Sequence, residues 1–137
     1  MIATLCFLVA VLTIAYLEAG TDADRIAEHK PIDHGKELKE RVIAVLVCGA
    51  LICLSFNAWE WRTLYWLPMA WGLFTMSFRW WLNRKRGLNP WYLAWSNNYD
   101  IFWLRLIVNL RRAGTAAYAF EALVFAASFT AYTLTNN

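Results

Sequence analysis

Apolar and charged residues alternate in long blocks along this 137-residue chain. Residues 1–17 are apolar, 18–41 are densely charged, and 42–58 are apolar again. A short WEWRT link at 59–63 leads to a third apolar run at 64–82, and a fourth occupies 115–135. An apolar run of about 17 residues or more, at about 1.5 Å per helical residue, is long enough to cross the hydrocarbon of a bilayer. The pattern therefore predicts an all-α integral membrane protein: a single membrane domain built as a four-transmembrane-helix bundle. A signal peptide is the rival for the first run, but nothing basic precedes Arg25, so a retained helix is expected.

Between the runs the polar segments have their own signals. In 18–41, a short helix is expected from Asp22 to His29, stopped at Pro31, with Asp33 as the N-cap of a second helix that continues into 42–58. Pro68 falls in the first turns of the third span, where its missing N–H matters least. Residues 87–98 read as an aromatic loop whose Ser96 or Asn97 caps the helix that follows. Residues 99–112 read as an amphipathic helix lying in the interface, with Arg105, Asn109 and Arg112 on one face and Gly114 as its stop. Small residues on the second run (Ala44, Cys48, Ser55) and the fourth (Ala122, Ala126, Ala127) predict close helix approach there. The aromatic third run is expected to face lipid or a partner.

Composition strengthens the membrane reading. The chain is 60% apolar and carries nine Trp, six Tyr and eight Phe, more aromatic surface than a small soluble core can hold. Of thirteen Lys and Arg, only Arg62 flanks the short link; the others lie in or beside the two longer polar segments. The positive-inside rule then places 18–41 and 83–114 in the cytoplasm and both termini outside. Segment 18–41 holds seven acidic and five basic residues, and 79–112 holds seven basic and one acidic, so the two are expected to dock. Basic residues beside apolar runs do not suggest a nucleic-acid partner. Cys6, Cys48 and Cys53 lie in apolar runs without a CxxC spacing and read as buried thiols.

Three constellations are candidates for chemistry. His34 and Glu37 share a helical face with Glu40 one turn on, His29 lies across Pro31, and Asp100 is a further carboxylate; together they form a candidate divalent-metal set. The competing reading is a solvated helix end with its acids paired to Lys36, Lys39 and Arg41, and no resident cofactor is expected. Glu121 lies inside the fourth run, on a face shared with Ala117, Ser128 and Tyr132, and Arg79 lies at similar depth in the third. An ion pair between them is the leading expectation and proton or ion handling the alternative. Arg84, Lys85, Arg86, Trp91, Tyr92 and Trp95 form a candidate lipid-headgroup rim. No phosphate loop, nucleophile elbow or HExxH motif is present. The expected function is thus a non-catalytic subunit or scaffold whose partners are the bilayer and other membrane subunits, or further copies of itself. A metal-dependent membrane enzyme and a small channel or proton-coupled carrier are the alternatives.

Overall fold

The computed structural model describes residues 1–30, 34–93, 98–107 and 110–135, and the side chains of these except His34, Asn98, Leu110 and Arg111. Among them the protein is all helix: α1 (Ile2–Ala27), α2 (His34–Phe56), a 3-10 turn (Trp61–Tyr65), α3 (Trp66–Lys85), α4 (Asn98–Leu106) and α5 (Leu110–Leu134). Two of them, α1 and α5, are long and apolar enough to cross a membrane. The expected caps at Asp33, Ser96 and Asn97, the break at Pro31, and Asn109 lie outside the described residues.

The first difference from expectation is α1. It does not end where the charges begin but runs unbroken to Ala27, because acidic and basic residues do not themselves break a helix. Its buried residues, Thr4, Phe7, Val11, Ala15, Ala19 and then Asp22 and Ala23, fall on one face at three- and four-residue steps, so that face stays buried from the apolar run into the charged one. The ends of α1, α2 and α3 close alike. His29 (φ 55°), Asn57 (φ 49°) and Gly87 (φ 68°) adopt left-handed backbone just past each helix. The next N–H then bonds back into the last turn: Lys30 to Arg25 at 2.9 Å, Ala58 to Cys53 at 2.9 Å and Leu88 to Asn83 at 2.8 Å.

The closest helix contacts follow the order α2, α1, α3, α5, with α4 against α5. Thus α3 is central, not the outward face expected from its aromatic content; Trp66, Met69, Ala70, Gly72, Arg79 and Asn83 are all buried along it. Trp66 stacks on Phe7 at 4.6 Å, and together with Val11, Cys53, Met69, Ala70 and Tyr132 they form the main apolar core. Close approach uses other small residues than those expected. Ala15 and Ala19 of α1 and Ala113 and Ala117 of α5 are fully buried, whereas Ala122, Ala126 and Ala127 face outward. At Gly72 α3 and α5 approach closely, since a Cβ there would lie 2.6 Å from the Glu121 carbonyl oxygen. Gly114 does not stop a helix either. It lies inside α5, where the Trp91 backbone packs against it too closely for any side chain. The helix expected to lie in the interface is correspondingly short, and Arg112 belongs to α5.

At one end of the bundle, Thr4 donates to the Tyr132 hydroxyl at 2.7 Å and Arg62 donates to the Thr135 carbonyl at 2.8 Å. At the other end lie the C-terminal parts of α1 and α3 and the start of α2. There Arg41 stacks over Phe78 at 4.5 Å, and Lys85 over Tyr16 at 4.5 Å.

Candidate functional site

Glu121 is the only charged residue of α5 beyond its first turn, and it is completely buried. Helical side chains lean toward the N-terminus of their own helix. In α5 that direction carries the Glu121 carboxylate from the level of Gly72 toward Arg79, two turns further along α3. Arg79 meets it with both arms: Nη1 donates to Oε2 at 3.1 Å and Nη2 to Oε1 at 2.9 Å. Nη2 also reaches Asp100 Oδ1 of α4 at 3.5 Å. The guanidinium carbon lies 5.1 Å from the Tyr118 ring centre and 5.5 Å from that of Tyr99. Arg79 therefore joins α3 to α5 and α4 with two carboxylates and two aromatic rings around it. Burial pushes the Tyr99 hydroxyl up to about 12.

One turn beyond Arg79, Asn83 is buried and fixes the aromatic loop. Its Nδ2 donates to the Pro90 carbonyl at 3.0 Å and the Tyr92 carbonyl at 2.9 Å, and the Tyr118 hydroxyl donates to Pro90 at 2.8 Å. Leu93 is buried beneath, while Trp91 and Tyr92 stay part-exposed.

A second polar cluster joins α1 to α2. Arg41 donates to Asp22 Oδ2 at 2.7 Å, Glu18 Oε2 at 3.2 Å and Glu37 Oε2 at 3.3 Å, and Arg25 pairs with Glu37. The acids of this segment are thus matched chiefly by the segment's own arginines. The basic layer contributes Lys85, which lies against Tyr16 and Gly20.

The candidate metal residues are dispersed between these features. Glu37 belongs to the Arg25–Arg41 cluster, Asp100 to the Arg79 cluster, and Glu40 faces solvent near Lys36 at 3.8 Å. His29 serves the backbone turn that closes α1, and the His34 side chain lies outside the described residues. Among the described residues no group of three His, Cys, Asp or Glu side chains is placed to hold a metal ion. Of the headgroup set, Arg84, Lys85 and Arg86 are exposed at the end of α3, Trp91 and Tyr92 lie on the pinned loop, and Trp95 is outside the described residues.

Sequence reasoning singled out Glu121 and Arg79 because each is a charge inside an apolar run. It paired Arg41 with Glu37 but missed Asn83, Tyr118 and the reach of Arg41 to Glu18 and Asp22. For Tyr118 a signal existed: it follows Ala117 on the face that carries Glu121. No protein-family model, curated protein or solved structure matches this chain.

Proposed function

We propose that this chain is a small polytopic membrane protein in which α1, α2, α3 and α5 all span, serving as a non-catalytic subunit or scaffold of a membrane complex. The observation that carries the reading is an inversion of burial. Arg79, Glu121 and Asp100 are enclosed, while Leu5, Val9, Ile43, Leu51, Leu54 and Leu123 are more than half exposed. In water this arrangement would leave a large apolar surface uncovered; in a bilayer it is the expected one. The contribution of Phe7, Val11, Ala15 and Ala19 to the interior supports a retained first helix. Helix α2, held mainly by α1, leaves a broad apolar face that suits lipid or another subunit.

The positive-inside rule places the end carrying Arg41 and Lys85 in the cytoplasm and the Thr4–Tyr132 end outside. Reporter enzymes active only outside the cytoplasm, fused after residue 60 and after residue 137, test this: activity at both supports four spans, and silence after residue 60 removes them. The subunit reading is tested by native purification in mild detergent with mass spectrometry. A defined larger complex supports it, and a clean monomer counts against it. Proton or ion handling by Glu121 rests on its complete burial; flux through liposomes that is absent, or unchanged in Glu121→Gln, removes that role.

A further inference from the structure

The cytoplasmic end of α3 carries two side-by-side arrangements of the same kind. Trp80 and Arg84 are one turn apart on one face, and Trp91 of the pinned loop meets Trp80 edge-to-face at 6.4 Å. Trp81 and Lys85 are one turn apart on the neighbouring face, and Tyr16 of α1 meets Trp81 edge-to-face at 5.1 Å while lying 4.5 Å beneath the Lys85 ammonium. In both, an aromatic pair on the bilayer side is followed by a cation one turn further out. All six residues are exposed or half-exposed. Their positions are set by buried contacts: Asn83 and Tyr118 hold the backbone of the Trp91 loop, so the first trio is pre-formed. The charge on α3 and the loop after it is one-sided, because no acidic residue occurs between Glu60 and Asp100, and the α1 acids nearest Tyr16, Glu18 and Asp22, are held by Arg41.

We propose that these two trios, Trp80–Arg84–Trp91 and Tyr16–Trp81–Lys85, bind the headgroups of anionic phospholipids. Indole and phenol rings favour the headgroup level, and a cation one helical turn outward, about 5–6 Å, lies at the depth of the phosphodiester. An anionic lipid suits the site better than a zwitterionic one because no side chain of 61–99 offers a negative partner to a choline or ethanolamine ammonium, and Glu18 and Asp22 of α1 are already paired with Arg41. Arg86, next to Arg84 and Lys85, strengthens the local field. This inference rests on the membrane reading above and names the lipid class that reading leaves open.

The test uses the full chain in mild detergent, with thermal unfolding followed during titration with phosphatidylglycerol or phosphatidylcholine. Phosphatidylglycerol is expected to raise the midpoint by roughly 3–6 °C and phosphatidylcholine by much less. Arg84→Gln with Lys85→Gln should weaken the phosphatidylglycerol effect roughly tenfold in lipid concentration, and Arg84→Gln alone should give a smaller loss. Lys39→Gln, which removes an exposed charge at the same end but outside both trios, should leave it unchanged. Inorganic phosphate at matched concentration should not reproduce the shift. Equal stabilisation by the two lipids, an equal loss in Lys39→Gln, or full reproduction by free phosphate overturns the proposal. Alkaline carbonate extraction separates the two levels. A chain released from membranes ends both readings, whereas a retained chain indifferent to lipid class ends only this one.

Discussion

Gly72 and Glu121 oppose each other where α3 crosses α5, with room for a hydrogen on Gly72 and nothing larger: an added Cβ would stand 2.6 Å from the Glu121 carbonyl oxygen and 3.3 Å from Phe125. Backbone cannot swing aside as a side chain can. Gly72→Ala should therefore destabilise by about 2 kcal/mol or more despite its gain in helix propensity. Gly49→Ala, whose Cβ would meet only the Phe7 ring edge at 3.2 Å, should be close to neutral. Unfolding midpoints of the two variants in detergent check the contrast, and equal effects would show that the α3–α5 approach is looser than described.

The two-armed pair of Arg79 with Glu121 makes a different prediction. Removing one partner strands the other as a buried charge, so Arg79→Met and Glu121→Leu should each lose about 3–5 kcal/mol. The double variant should recover much of that loss. The double-mutant cycle is the measurement, and additive losses would deny the pairing. Arg79→Lys should not substitute, because an ammonium cannot form both bonds in one plane.

Arg41 and Arg25 separate by burial. Arg41 is 12% exposed and holds three carboxylates, while Arg25 is 42% exposed and holds one. Arg41→Gln should destabilise by about 2–3 kcal/mol. Arg25→Gln should remain within about 1 kcal/mol, since exposed pairs are screened by solvent. Hydrogen exchange across residues 18–27 and 34–41 should rise sharply only in the first.

His29 occupies left-handed backbone that glycine adopts more easily than histidine. His29→Gly is expected to leave stability unchanged or to raise it by up to about 1 kcal/mol. A marked loss that is restored by added divalent metal would instead return His29 to a ligand role.

Tyr99 sets an alkaline limit. Its hydroxyl is pushed up to about 12 by burial, so the unfolded chain ionises first, near 10. The stability this group contributes is complete below pH 10 and declines as pH rises toward 12. Tyr99→Phe should flatten that decline, as read from unfolding midpoints between pH 9.5 and 11.5.

The helices themselves were legible because apolar runs of this length have few other solutions. The Arg79–Glu121 pair was legible for the opposite reason, as the charge inside two such runs. What misled was local punctuation. The charged start at Glu18 looked like a helix end, although Ala15, Ala19 and Ala23 continue the buried stripe through it. Gly114 looked like a helix stop, yet its role is tertiary, because the Trp91 backbone that needs the space is 23 residues away in sequence. The Trp content of α3 could equally mark a lipid face or a packed centre, and only the presence of partners such as Phe7 decides between them.

The Arg79–Glu121 pair also bears on biogenesis. A lone carboxylate near the middle of a spanning helix opposes partition from the translocon by about 3 kcal/mol. Glu121 lies roughly 16 Å into α5 and has no other charged side chain in that helix beyond its first turn. On the proposed topology α3 emerges first in chain order, so Arg79 would already stand in place when α5 arrives. Each half of the pair is a poor transmembrane residue alone, but if both helices span as proposed, the order of synthesis would let the second enter against the first.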